Sequence, residues 1–172
     1  MAANQELLED IIYCARYGES EDLKQSNVPA ELYVTKDEAG NTALHMASAN
    51  NHLDIVQYIL EKLQKFDKSE VKRMVNIQNE QGNTPLHWAA LNGHLEVVQA
   101  LVNAGGDCKI KNIAGKTPIY EAQQRESEKI AEFFLNTMIE EQPEEENDED
   151  EEMDEDEQFV ETGVPKEDPM KE

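Results

Sequence analysis

Gly82-Asn83-Thr84-Pro85-Leu86-His87-Trp88-Ala89-Ala90-Leu91-Asn92-Gly93-His94-Leu95-Glu96-Val97-Val98 decides the fold of this 172-residue chain. Its first six residues return from an earlier phrase, Gly40-Asn41-Thr42-Ala43-Leu44-His45, and decay into a later one, Gly115-Lys116-Thr117-Pro118-Ile119-Tyr120. Gly82 and Gly115 are 33 residues apart, and Gly40 and Gly82 are 42 apart, which is one period plus nine. The extra nine fall in the polar stretch around Lys62–Arg73. A weaker copy precedes them: Ala15-Arg16-Tyr17-Gly18 aligns with Ser48-Ala49-Asn50-Asn51, and Gly18 to Asn51 is again 33 residues. Self-similarity at such a period marks a repeat architecture. Four units follow, at about 7–36, 37–78, 79–111 and 112–139.

Each unit reads as helix–turn–helix and then a loop. Thr84 is placed to cap the first helix of the third unit, with Pro85 at the first helical position. Leu86, Ala89 and Ala90 give that helix one small apolar face. It ends near Asn92-Gly93, where glycine accepts a left-handed backbone. Leu95, Val98, Leu101 and Val102 then recur at spacings of three and four, the mark of an amphipathic helix. Ala104-Gly105-Gly106-Asp107 breaks it. The second unit repeats the scheme with Leu53, Val56, Ile59 and Leu60, and the fourth with Ile130, Phe133 and Phe134. One such pair cannot bury its own apolar side, so neighbours stack and the end units are modified to face water. The first unit carries Ile11-Ile12-Tyr13 where inner units carry the Leu-His phrase. The fourth has Tyr120 for the histidine, Gln123 for the second alanine and Glu126 for the turn glycine, as expected of a C-terminal cap.

The phrase Gly-x-Thr-Pro-Leu-His-x-Ala-Ala-x-x-Gly-His-x-x-Val-Val resembles the ankyrin repeat signature. Gly82–Val98 matches it at every fixed position. Gly40–Val56 matches with Ala43, Ser48, Asn51 and Ile55 as departures. The fold class expected is all-α: an ankyrin repeat solenoid of four helix–turn–helix units, residues 1–139, followed by a disordered acidic tail, residues 140–172. The resemblance implies that Thr42, Thr84 and Thr117, with His45 and His87, brace the turns by hydrogen bonds. It also implies a concave binding face built from first helices and projecting loops.

Charge is distributed unevenly. The chain holds 38 acidic and 15 basic residues for a net charge of -23. Residues 140–172 hold 18 of those acids and two lysines. Glu140–Glu157 is 18 residues with 14 acids. Like charges so dense repel, and nothing apolar offsets the ordering entropy. The functional reading is a flexible polyanion for Lys/Arg clusters, with Glu149, Asp150, Glu151 and Glu152 at its centre; a plain solubility tail is the other reading. Phe159, Val160 and Val164 follow, either as a short anchor for a partner or as a leftover of composition. Membrane surfaces and nucleic acid are polyanions and are disfavoured as direct ligands, whereas a basic protein is attracted.

Catalytic and metal chemistry find little support. His45 and His87 share one repeat position, and His52 and His94 another, which is periodicity rather than a constellation. Cys14 and Cys108 make neither a disulfide framework nor a zinc motif. Gly105-Gly106 lacks phosphate-loop spacing. No enzyme activity and no cofactor are expected. Met1–Asp10 has no basic residue and no apolar core of a signal peptide, and no apolar run reaches bilayer-spanning length. The expected setting is cytoplasm and nucleus, with nuclear entry passive or carried by a partner, and the expected free state is a monomer.

Loop tips held by a rigid scaffold are the first candidates for binding. They are Lys36–Asn41, Asn79–Asn83 and Asn112–Lys116, with Asp37, Glu38 and Glu80 giving an acidic edge. On the first helices, Met46, Asn50, Trp88 and Asn92 lie between core positions. Trp88, the only tryptophan, is either a hot-spot anchor or a core residue. The Lys62–Arg73 insertion is either a lengthened helix and loop with Phe66 and Val71 packed down, or a partner-specific projection. It is locally positive, and docking of the acidic tail there is a further possibility.

Repeat count, the unequal second unit, size and tail together resemble the fungal ankyrin-repeat chaperones dedicated to a basic small-subunit ribosomal protein of the S3 family. That resemblance implies a chaperone that shields its newly made client and accompanies it to small-subunit assembly. A histone-binding or transcription-associated ankyrin protein, or a generic protein–protein adaptor, are the alternatives.

Overall fold

The computed structural model describes residues 2–140, with side chains from residue 4 onward. The candidate tail residues Glu149, Asp150, Glu151, Glu152 and Phe159 lie outside the described residues, as does the expected disorder from residue 141 to 172; Glu140, expected to open the tail, closes the last helix.

Among the described residues the regular elements are α-helices and one short 3₁₀ turn. They are α1 (Ala2–Tyr17), α2 (Ser20–Gln25), the 3₁₀ turn Ala30–Val34, α3 (Ala43–Ala49), α4 (Leu53–Leu63), α5 (Lys68–Val75), α6 (Pro85–Leu91), α7 (Leu95–Asn103), α8 (Pro118–Gln124) and α9 (Glu128–Glu140). The first helices stack in the order α1, α3, α6, α8. The second helices α4, α7 and α9 pack behind them in the same order. This is the four-unit all-α solenoid that the repeat phrase requires.

The core runs through the stack as one cluster. Small residues let first helices approach: Ala15, Ala43, Ala47, Ala89, Ala90 and Ala122 are fully buried. Ile55, Val56, Ile59 and Leu63 of α4 and Val97, Val98 and Leu101 of α7 close the back. Leu60, Val102 and Phe133 pack against this cluster at its margin rather than inside it.

The end units differ as a cap should. Ser48 and Ala90 are fully buried, whereas Gln123, their counterpart in α8, is exposed. His45 and His87 are buried, whereas Tyr120 is 41% exposed. Glu126 keeps the left-handed turn of the inner units at φ 56°, as Asn51 does at 60° and Gly93 at 78°. The turn geometry therefore outlasts its glycine, at the steric cost a side chain carries there. At the other end α1 is 16 residues long, against seven for α3, α6 and α8.

The insertion is packed, not projecting. Asp67 caps α5 by accepting from the Ser69 and Glu70 N–H groups at 2.9 and 3.0 Å. Met74 and Val75 are buried, and Phe66 and Val71 pack half-buried against the core.

Candidate functional site: the first-helix face and loop tips

The histidines are structural. Thr42 Oγ1 accepts from the His45 N–H at 3.3 Å, and His45 Nδ1 accepts in return from the Thr42 N–H at 3.1 Å. An accepting Nδ1 places the ring proton on Nε2, which donates to the Asn83 carbonyl, 2.9 Å away in the next unit. His87 repeats the arrangement with Thr84 and reaches the Lys116 carbonyl at 3.0 Å. Burial drives the His45 pKa down to about 4 and lowers that of His87, because a charged ring is poorly solvated there. His52 and His94 point the other way: their Nε2 atoms meet the Arg16 and Ala49 carbonyls at 3.0 Å each. Thr117 caps α8 through the Tyr120 N–H, and Tyr120 brings no reciprocal imidazole. The bracing role expected for the threonines and histidines is therefore realised, and each inner histidine also joins two units.

The loop tips are joined in the same fashion. Asp37 accepts at one oxygen from the Ala39 and Asn41 N–H groups, and Asn79 from those of Gln81 and Asn83. Asn79 Nδ2 donates back to Asn41 Oδ1 at 2.9 Å, and Asn112 Nδ2 to Asn83 Oδ1 at 2.9 Å. The main chain adds Glu80 N–H to the Ala39 carbonyl and Ile113 N–H to the Gln81 carbonyl, at 3.2 and 3.0 Å. Gly40 and Gly82 take positive φ beneath these contacts. A Cβ on Gly82 would lie 2.7 Å from Ile113 N, and one on Gly40 2.8 Å from Glu80 N. Gly115 has nothing within 4 Å of that position. Free hydrogen-bonding capacity at the tips is thus small, and what they offer a partner is a row of exposed side chains held in register.

The structure sorts the candidate residues. Glu38 and Glu80 are exposed, an acidic pair on adjacent tips. Asp37 is half-buried, with one carboxylate oxygen engaged in its turn. Asn50 and Asn92 are exposed; Asn92 Nδ2 donates to the Ala49 carbonyl at 3.1 Å, which sets it beside Asn50 across α3 and α6. Met46 is only 8% exposed, and its sulfur accepts from the Arg16 guanidinium at 3.4 Å. Trp88 is half-buried on α6. Its indole N–H is enclosed and has no partner among the described residues. The ring is thus neither a free-standing anchor nor a core residue; it shows one part of its surface.

Among the exposed large side chains, the tyrosines of α1 lie outside the candidates drawn from the sequence, whereas Ile113 falls in the Asn112–Lys116 tip. Tyr13 and Tyr17 lie side by side on α1 with ring centroids 4.6 Å apart and planes tilted by 46°. They are 53% and 60% exposed. Ile113 is 79% exposed at the last tip. The i, i+4 spacing of the tyrosines was the available signal, since those positions share a helix face. The inter-tip asparagines were signalled by the 33-residue spacing of Asn79 and Asn112.

A row of exposed side chains on short helices and tips, riveted unit to unit, defines a class: a rigid repeat scaffold whose work is to bind another macromolecule. Among the described residues no cluster of His, Cys, Asp or Glu has the make-up of a metal site, and no helix is long and apolar enough to cross a membrane.

Comparison with known proteins makes the class specific. The ankyrin repeats family, described as three copies, matches over residues 11–112 and 66–150. This chain belongs to the ankyrin repeat family. It is 47% identical over 140 residues to an ankyrin repeat-containing protein of Schizosaccharomyces pombe, across 80% of this chain and 90% of that protein. It is 41% identical over 152 residues to the ankyrin repeat-containing protein YAR1 of Saccharomyces cerevisiae, across 84% of this chain and 76% of that one. A crystal structure of the yeast ribosomal protein Rps3 in complex with its chaperone Yar1 contains a chain similar at a TM-score of 0.73 and 39% identity. That match covers 81% of this chain and 97% of the other.

Proposed function

We propose that this protein is a dedicated binding chaperone: it holds a newly made basic ribosomal protein of the S3 family soluble and escorts it to small-subunit assembly. The observation that carries this reading is the 39% identity, across 81% of this chain and 97% of the other, with a chain from the complex of Rps3 and its chaperone. Charge supports it independently. An unassembled ribosomal protein presents lysine and arginine that meet stray RNA or aggregate. A chain of net charge -23 with a shaped binding face masks that surface.

Exposed tip acids Glu38 and Glu80 meet basic side chains, while Trp88 and Asn92 supply contact area between them. Residues 140–172 add a polyanion that speeds encounter and makes it salt-sensitive. Release is competition: rRNA offers a denser negative field and displaces the chaperone without nucleotide hydrolysis. The protein works in cytoplasm and nucleus and enters the latter with its client.

Isolation of the tagged full chain from soluble extract at low salt, beside a form lacking Glu140–Glu172, tests this. One stoichiometric S3-family protein, lost progressively with salt, supports the reading. Histones in its place move the function to chromatin, and a non-basic partner indifferent to salt leaves an adaptor.

A further inference from the structure

The nine residues that break the repeat period build one wall of a second groove. It is lined by Leu60 and Gln64 of α4, Phe66 of the connecting turn, Lys68, Val71 and Lys72 of α5, and Asn103-Ala104-Gly105 at the end of α7. Its volume is about 570 Å³, within the range that takes whole side chains of a ligand. Leu60, Phe66, Val71 and Ala104 give it an apolar floor, all half-buried. It shares no residue with the first-helix face and loop tips.

The rim is positive in a strongly negative protein. Residues 61–73 carry Lys62, Lys65, Lys68, Lys72 and Arg73 against Glu61, Asp67 and Glu70. Two of these cations are engaged: Lys62 lies 5.2 Å from the Tyr58 ring centroid, and Lys65 lies 4.7 Å from that of Phe66 and 3.4 Å from a Glu31 oxygen. Lys68 and Lys72, on either side of Val71 at the groove, make no ion pair or side-chain hydrogen bond among the described residues. Both are exposed. Gly105 forms the far wall beside Lys72: a Cβ there would stand 3.5 Å from the Lys72 Cβ, in ordinary contact. An apolar floor with two exposed cations at its edge selects a negative, partly apolar ligand and repels a basic one.

We propose that this α4–α5–α7 groove is a second docking site, which takes an acidic peptide segment of another protein: one bulky apolar side chain seats between Phe66 and Val71, and flanking carboxylates pair with Lys68 and Lys72. The protein then holds two partners of opposite charge at once. The basic client sits on the first-helix face and an acidic partner sits on the insertion.

The probe is a fluorescent eight-residue peptide with a Phe-Leu pair flanked by three Asp or Glu residues on each side, titrated into the ¹⁵N-labelled full chain at low salt. The expected result is saturable shifts at Leu60, Phe66, Val71, Lys72 and Gly105. Lys68→Glu with Lys72→Glu should weaken binding at least tenfold, with the thermal melt and binding of an S3-family protein unchanged. A peptide with lysine for every acid should leave the resonances of Leu60, Phe66, Val71, Lys72 and Gly105 unshifted, wherever else on this acidic protein it binds. Absent or scattered shifts, or a charge-reversed variant that binds as well as wild type, overturns the proposal. Because the S3-family protein is measured in the same variants, loss of one site is distinguished from loss of the other.

Discussion

His45 Nε2 and the main-chain oxygen of Asn83 stand 2.9 Å apart, 38 residues apart in sequence, and this contact ties the first helix of one unit to the loop of the next. The same ring caps its own helix through Nδ1. One side chain therefore fixes a helix start and an inter-unit spacing together. The register of the exposed row from Glu38 to Glu80 depends on it.

Replacing His45 with alanine leaves the Thr42 N–H without its partner in a dry place and takes one of two donors from the Asn83 carbonyl, which keeps the Asn79 N–H at 2.9 Å. An unsatisfied buried donor costs about 1–3 kcal/mol and the lost bond to Asn83 about 1 kcal/mol, so a loss of about 3 kcal/mol is expected in urea unfolding. His52→Ala removes a more exposed bond to Arg16 and should cost about 1 kcal/mol. Equal losses for the two would contradict the rivet.

The same burial makes stability pH-dependent. His45 titrates near 4 in the fold and near 6.5 in an unfolded chain, so the unfolded state takes up the proton first. Its contribution is complete above pH 6.5 and is lost as pH falls to about 4, a difference of about 3 kcal/mol. His87 acts in the same direction. His45→Gln should flatten the fall in urea midpoint between pH 6.5 and 4.5. An unchanged slope would show that other groups set it.

Gly82 and Gly115 share a left-handed backbone, at φ 77° and 75°, but not a neighbour. Alanine at Gly115 meets only the backbone preference, about 1–2 kcal/mol. Alanine at Gly82 also meets Ile113 N and must push the next tip away. Thermal melts of the two variants should differ, with Gly82→Ala the lower by several degrees. The difference measures the tip-to-tip contact.

Trp88→Ala tests the binding face rather than the fold. The half-buried ring yields only part of its area to the core, so the melt should fall modestly. Affinity for an S3-family protein should fall at least tenfold, the usual consequence of losing an aromatic anchor. A variant that melts lower yet binds unchanged would make Trp88 a packing residue.

The architecture was legible because three copies of one phrase carry their own punctuation: Thr for the cap, Leu-His and alanines for the inner face, Gly for the turn. The ends were legible as departures, with Gln123 and Tyr120 exposed where inner units bury their counterparts. Less legible was how much surface each site residue shows. Met46 and Trp88 hold the same repeat position, yet Met46 is buried under Arg16 and Trp88 is half-open, because the neighbouring helix differs at each. Asp37 reads as an acid at a tip, but its turn claims one oxygen. The groove beside α5 was hidden for a similar reason: the insertion shows its charge and two apolar residues in the sequence, while the rest of the floor, Leu60 and Ala104, comes from α4 and the end of α7.

The most direct measurement of the central claim is a fluorescence titration of a purified S3-family ribosomal protein with the full chain, repeated with Glu38→Lys plus Glu80→Lys and across a salt series. The account predicts a one-to-one complex that weakens steeply with salt, weakens at least tenfold more in the charge-reversed variant, and keeps the ribosomal protein soluble. A complex indifferent to salt and to both substitutions, or no complex at all, would contradict it.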